Sequence, residues 1–571
     1  MATIKPSHAF AKKCFDRFRG LGNQGALEGD GATEMLNLRI NEDGSLCSRE
    51  GYRIIARFPD QRIRGFWEGV LDHQTYRFIA AGGSVYLMDL KNQIHTKVGT
   101  IASDDESVEF FSYENRLYLL DGEDLLVYQP SSKSFITAEP YVPLIGYQWH
   151  PTDFGDIYEP VNLLTPRMRV RYLNTSASTA FYLPFYAKSV EAVYVNGTRT
   201  RNVTLCEGGK YVEVPSAANA SQIDVVMTAD FADDTALPIR RARHALVQRF
   251  GNAERLFLYG TDGTCAVYPA ASVNSAMLNI CHVLLPSVLP LYFKSSDVLY
   301  LGSRENPVQA LFPYHGEILA FGTHQTFRIF TENNVSFEAE SLADGIGCSS
   351  HGMAFLCEAS PVLADSGGLT WLESTSRTDS LRSRRIRYPT LRPPLKVPDT
   401  ATAVWNPNSR EILIRDPAES TGKVLVYQAA RNDWYCFDNI AATLFFSISG
   451  HLGFGTENGN VYLFDDSCTT DDGTLFRCRY QSTYFDFGTP ETVRRALRLS
   501  VCGNLHGGEA TLRLTDERRE SAHALRGNSK HTIEHFELRR KNGRYRFLRF
   551  SLEARSDCKV ELYKLSFFTN L

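Results

Sequence analysis

Residues 34–53 read EMLNLRINEDGSLCSREGYR, and the alternation within them decides the class of fold. Leu36, Leu38 and Ile40 alternate with Asn37, Arg39 and Asn41, the period-two pattern of a half-buried strand. Glu42-Asp43-Gly44-Ser45 is turn chemistry, because Gly accepts positive φ and Asp bonds its own backbone. A short return through Leu46 leads to a second turn at Arg49-Glu50-Gly51-Tyr52. None of these residues suggests catalysis. The stretch reads as an opening hairpin that receives an N-terminal arm and begins a long series of β-strands.

Outward from this stretch the totals agree. A chain of 571 residues exceeds one ordinary core and predicts about two to four domains. Apolar residues make up 43% and aromatics 12%, enough for packed cores and too much for a disordered chain. The aromatics are mostly Phe and Tyr, and with 41 Gly that mix suits strands and tight turns. A net charge of −4 excludes a global attraction to nucleic acid or anionic membrane, so any charge-based function must be local. The N-terminal segment lacks the apolar core of a secretory signal, and no run reaches the ~18 apolar residues of a membrane helix. The twelve cysteines are scattered singly with no CxxC pair, which predicts free thiols in a reducing cytoplasm.

In chain order, residues 1–33 read as an extended arm rather than a packed element, and residues 34–145 as the first blades of a β-propeller. Val85-Tyr86-Leu87-Met88-Asp89 is echoed by Leu117-Tyr118-Leu119-Leu120-Asp121. Strand, Asp-containing turn and strand, repeating at about 30–45 residues, is the spacing of propeller blades. Residues 146–235 change composition, with a Pro-rich start and dense alternation around the Asn196-Gly197 turn, and predict an inserted β-sandwich. Blade-like text resumes over 236–472, from Arg255-Leu256-Phe257-Leu258-Tyr259 to Val461-Tyr462-Leu463-Phe464-Asp465. Residues 473–571 alternate apolar with basic residues and predict a C-terminal β-sandwich. The expected fold is therefore all-β, with a propeller of about six to seven blades carrying two further β modules.

The search for chemistry yields no catalytic, cofactor-binding or metal-binding set. Asp365-Ser366-Gly367-Gly368-Leu369-Thr370-Trp371 is similar to the Asp-box turn of sialidase-type propellers, but that turn is structural. A glycosidase needs two placed carboxylates, which sequence order does not reveal here. Asp465-Asp466 with Asp471-Asp472-Gly473 fits no EF-hand spacing and reads as a solvated hairpin loop rather than a Ca²⁺ site. The fourteen histidines form no HxxxH or HExxH pattern, and Cys281-His282 reads as a buried structural pair. Arg240, Arg241, Arg243 and Arg249 mark the junction where the inserted module rejoins the blades. The most informative charge feature is RTDSLRSRRIRYPTLRPPLK, residues 377–396, in which Arg377, Arg382, Arg384, Arg385, Arg387, Arg392 and Lys396 accompany one acidic residue, Asp379. Pro389, Pro393 and Pro394 exclude a continuous helix or central strand, so the segment reads as an extended basic loop. Such a loop can touch DNA phosphates, pair with an acidic face of a neighbouring subunit, or simply be solvated.

The opening block also resembles a known family. Phe18, Gly20, Asn37, Arg39, Gly44, Leu46, Arg49, Gly51 and Tyr52 match the start of structural proteins of tailed bacteriophages, an "F-x-G" arm followed by "N-x-R-x-x-x-x-G-x-L-x-x-R-x-G-Y". GNAERLFLYGTDG (251–263), the blade-like run 297–329, GIGCSSHGMAF (345–355) and the segments 458–466 and 470–501 are similar in style and order. The resemblance is to the β-propeller tail nozzle, or tail hub, of short-tailed phages. It implies a non-enzymatic virion tail protein, made in the host cytoplasm and assembled as a homo-oligomeric ring, commonly of six copies. That ring lies below portal and adaptor, contacts fibre proteins, and continues the channel that retains and releases the genome. Two rival readings remain: a receptor- or carbohydrate-binding tail protein, with Tyr172, Phe181, Tyr182 and Tyr194 as candidate contacts, and a cellular propeller scaffold.

Overall fold

A computed structural model describes residues 10–22, 31–92, 94–102, 107–217, 221–230, 239, 241–260, 282–283, 291–303, 305–373, 381–389, 401–416, 419–488, 491–494, 497–530, 532–540, 544–556 and 559–570. The protein is all-β, its described helices being single 3₁₀ turns. No helix of the described chain is long and apolar enough to cross a membrane. Nine cysteines lie among the described residues, all of them free thiols.

Many of the described strands form four-stranded antiparallel arrays, most of them runs of consecutive strands. Sheet I spans Ile63–Leu71, Gln74–Ala81, Ser84–Asp89 and Ile94–Thr100, and sheet II spans Glu109–Tyr113, Arg116–Leu120, Leu125–Gln129 and Ser134–Thr137. Sheet III is the hairpin His244–Phe250/Ala253–Tyr259, beside which lies a separate short pair, His282–Val283/Leu299–Tyr300. Sheet IV runs from Ala310–Tyr314 to Glu338–Asp344, and sheet V from Ala354–Cys357 to Arg382–Arg387. Sheet VI runs from Thr402–Asn406 to Asp433–Phe437. Sheet VII combines Ala442–Ile448, His451–Thr456 and Asn460–Asp465 with a strand from far upstream, Gly51–Arg57.

The repeated "apolar strand then Asp" text has a local cause. Asp89 Oδ1 accepts from the backbone N–H groups of Lys91 and Asn92, and Asp121 Oδ1 from those of Glu123 and Asp124. Asp365 does the same for Gly367 and Gly368, and Asp465 for Ser467. Each Asp closes its strand by satisfying donors that the turn leaves free.

Successive sheets pack through their first strands. Those of I and II, II and III, III and IV, V and VI, and VI and VII are in contact. Sheets IV and V share the core of Leu319, Phe321, Leu363 and Leu372. The succession returns on itself, because Ala442–Ile448 of sheet VII packs on Ile63–Leu71 of sheet I, with Phe446 stacked on Phe66 at 4.3 Å.

Between sheets II and III, Leu144–Trp149, Arg167–Leu173, Gln222–Ala229, Ala187–Val195 and Thr198–Thr200 form one sheet. Ala180–Tyr182, Tyr211–Glu213 and Thr204–Cys206 form a second. The two share their own core, including Trp149, Met168, Val170, Tyr172, Phe181, Val212 and Met227.

The N-terminal segment departs from the expected unpacked arm. Phe10–Phe15 pairs along its full length with the C-terminal strand Glu561–Asn570. Phe15 inserts edge-on among Phe485, Phe550 and Phe567 at 5.0, 5.1 and 5.9 Å. The polar, glycine-rich composition gave no sign of this, because the strand's partner lies at the other end of the chain. The hairpin Leu38–Ile40/Leu46–Ser48 forms as read and joins the same C-terminal sheet through Leu46 and Leu562. Ala32–Leu36 bridges Asp433–Phe437 of sheet VI to Arg477–Ser482, so the first fifty residues tie the last strands of the chain together.

Candidate functional site

The opening stretch builds a heavily bonded interior site. Asn37 breaks the strand with φ of 53°, a left-handed conformation that Asn tolerates better than most residues. Its Oδ1 accepts from Arg49 Nε at 2.9 Å, and its Nδ2 donates to Asp438 Oδ1 and to the Arg477 carbonyl. Arg49 is buried, and its remaining donors reach Asp471 Oδ1 and Oδ2 at 2.9 and 2.7 Å and the carbonyls of Glu50 and Asp438. All five guanidinium N–H groups are thereby satisfied. The guanidinium carbon also lies 3.9 Å from the centre of the Phe476 ring. Beside it Arg39 pairs with Glu411 and Glu50, while burial opposes its charge and Glu411 outweighs that opposition, so its pKa is raised. Tyr52 donates to the Asn439 carbonyl at 2.6 Å, and a Cβ on Gly51 would fall 2.0 Å from the Thr470 carbonyl oxygen. The acidic segment 465–473 is thus only partly a solvated hairpin loop. Asp465 is solvent-facing, but Asp471 is buried by a partner 422 residues away.

The basic segment also differs from the expected loop. Arg382–Arg387 is a strand, paired with Gly368–Glu373 at the outer edge of sheet V. Pro389 lies beyond the strand, where it costs no ladder bond. Ile386 alone is buried, while Arg382, Arg384, Arg385 and Arg387 are exposed. Arg384 stands over Trp371 at 5.7 Å. Arg385 pairs with Asp365, Nη1 to Oδ2 being 2.7 Å, and also donates to Thr370. Burial disfavours the Asp365 carboxylate, but Arg385 and the two turn N–H groups outweigh it and hold its pKa below the usual range. The Asp-box-like segment is therefore a hairpin turn buttressed by an arginine. Arg377, Arg392 and Lys396 lie outside the described residues, as do Arg240 and Cys281.

A third cluster combines residues with no sequence proximity. Glu109 begins the first strand of sheet II, His244 begins the first strand of sheet III, and His351 lies just before the first strand of sheet V. Among the described residues, this is the one trio whose ligand atoms could hold a metal, all within 4.8 Å of one another. His244 Nδ1 is 2.8 Å and His351 Nε2 3.8 Å from Glu109 Oε2. The imidazoles stack at 3.6 Å, and His351 Nδ1 lies 3.1 Å from the Gln309 carbonyl. Burial, reinforced by Arg243, lowers the His244 pKa to about 3. Burial and the neighbouring His244 lower that of His351 to about 4, against the pull of Glu109. Burial also raises the pKa of Glu109. No pattern within one window could have revealed the trio, because its members are 135 and 107 residues apart.

The aromatic candidates of the inserted module sort by burial. Tyr172 and Phe181 are core residues, whereas Tyr182 and Tyr194 are half-buried. The exposed aromatics there are Tyr147, Phe154, Tyr158 and Tyr186, with Tyr147 and Tyr158 in contact at 5.2 Å.

No protein-family model and no curated protein matches the chain. Among solved structures, the CNH domain of AfRom2 is similar at 8% identity with a TM-score of 0.34, over 73% of this chain and 99% of that one.

Proposed function

We propose that this chain is a structural component of a bacteriophage tail. In this reading sheets I to VII are the blades of a β-propeller, closed by the strand Gly51–Arg57, and several copies form a ring below portal and adaptor. The ring continues the DNA channel, and its role is mechanical rather than enzymatic. One observation carries the reading: each of the nine residues of the phage-like opening pattern has a structural role in holding the N-terminal stretch in place. Phe18 and Leu46 are core residues, and Gly20 donates to Asp433. Gly44 takes the turn at φ of 91°, and Asn37, Arg39, Arg49, Gly51 and Tyr52 make the network described above. The exposed arginines at the edge of sheet V suit an acidic neighbour in such a ring, because guanidinium groups pair with carboxylates in a bidentate fork.

The test is immuno-electron microscopy, with an antibody to this chain, of phage particles recovered from the source culture. Label and ring-shaped density at the tail are expected, and particles without label would overturn the reading. The exposed aromatics of the inserted module favour a second reading, a receptor- or glycan-binding tail protein, which label on peripheral fibres would support.

A further inference from the structure

We propose that Glu109, His244 and His351 form a binding site for one divalent transition-metal ion, with Zn²⁺ the best chemical match. The ligand set is two imidazoles and one carboxylate, the N and O donors that Zn²⁺ and its neighbours in the first transition row prefer. Mg²⁺ and Ca²⁺ want all-oxygen shells and are disfavoured. In a tetrahedral site with bonds of about 2.0–2.1 Å, ligand atoms stand about 3.3 Å apart. The separations of 2.8 and 3.8 Å from Glu109 Oε2 to the two imidazole nitrogens bracket that value, so small side-chain rotations suffice.

The surroundings orient the donor set, and the Nδ1–H of His244, which donates to Glu109 Oε2 in the metal-free protein, passes its proton to Nε2 or to solvent when the ion enters. The Gln309 carbonyl beside His351 Nδ1 selects the tautomer with the proton on Nδ1, which leaves the Nε2 lone pair directed at Glu109. The backbone N–H of Ala245 donates to Glu109 Oε1 at 3.2 Å and orients the carboxylate, leaving Oε2 toward the imidazoles. Gly260 makes room for the His244 ring, since a Cβ there would lie 2.6 Å from its Cδ2. The Arg243 side chain runs alongside Gly122 of sheet II. The three ligand side chains retain 17% to 41% of their exposure, so the trio is within reach of solvent. A bound ion would fasten sheet II to sheet III and to the segment that leads into sheet V.

The test uses the full chain, free of any affinity tag and stripped with a chelator, then equilibrated with Zn²⁺ or Co²⁺. The expected result is one ion per chain, with affinity at least tenfold lower in Glu109→Gln and in His351→Gln. Both variants should still fold without metal, melting below the parent by no more than the loss of these hydrogen bonds explains. X-ray absorption of the Zn²⁺-loaded parent protein should show a first shell of N and O without sulfur, a readout that needs no variant. Absence of stoichiometric uptake, equal uptake by parent and both variants, or a sulfur-containing shell would each overturn the proposal.

Discussion

Two polar clusters sit at junctions between sheets, and they are built in opposite ways. Around Arg49 every guanidinium donor has an acceptor, and Asp471 Oδ2 also accepts from Asn439. The charges there neutralise one another and leave nothing to bind. Around Glu109 one carboxylate faces two imidazole nitrogens, at 2.8 and 3.8 Å. The trio gains most from a cation that can use its lone pairs. Saturation therefore separates a polar cluster that fixes the fold from one able to take a ligand.

The largest expected effect lies in the saturated cluster. Arg49→Met strands the Asp471 carboxylate in the interior and should destabilise the protein by about 3–5 kcal/mol, read by chemical denaturation. Combining it with Asp471→Leu should recover much of that loss, because the stranded charge is then gone; a strictly additive double variant would show the two residues to be uncoupled. Next in size is the effect of metal on the unsaturated cluster. Zn²⁺ at a hundred times its dissociation constant should add about 2.7 kcal/mol and raise the melting temperature, and Glu109→Gln should abolish that rise.

Smaller effects are expected where charges face water. Arg385→Ala removes a partly exposed pair with Asp365 and should cost less than about 1 kcal/mol, with salt reducing the difference further. A larger loss would mean that the arginine edge organises sheet V rather than decorating it. The smallest effect concerns Asp465, whose pKa is lowered to about 2 by its hydrogen bonds from Ser467 and then by Arg53. Its folded pKa lies below the ordinary carboxylate value of about 3.9. Its contribution is therefore complete above that pH and is lost as pH falls through about 2. Asp465→Asn should flatten the stability profile in that acid window and leave neutral pH nearly unchanged, as acid titration of thermal melting will show.

The two clusters also differ in how much the sequence disclosed. The opening stretch was legible as strand, turn and strand, because alternation and turn residues act over a few positions. Its arginines were legible only as pattern members, since the partners Asp471, Glu411 and Asp438 lie hundreds of residues away. The arginine run was recognised as basic and Pro-bounded, but its strand went unseen. Ladder pairing with Gly368–Glu373 outweighs the charge repulsion along an edge where water screens it. The metal-ligand trio was invisible, because three single residues on different sheets carry no local period.

By itself the sequence determined the all-β class and the turns closed by Asp and Gly, and it predicts a change of module after residue 146. These depend on backbone conformation and side-chain alternation, which act within about ten residues. Only the tertiary structure decided that the N-terminal segment is clamped by the C-terminal strand, that Arg49 meets Asp471, and that Glu109, His244 and His351 converge. Those outcomes depend on which sheets pack against one another, a property of the whole chain that no single stretch encodes.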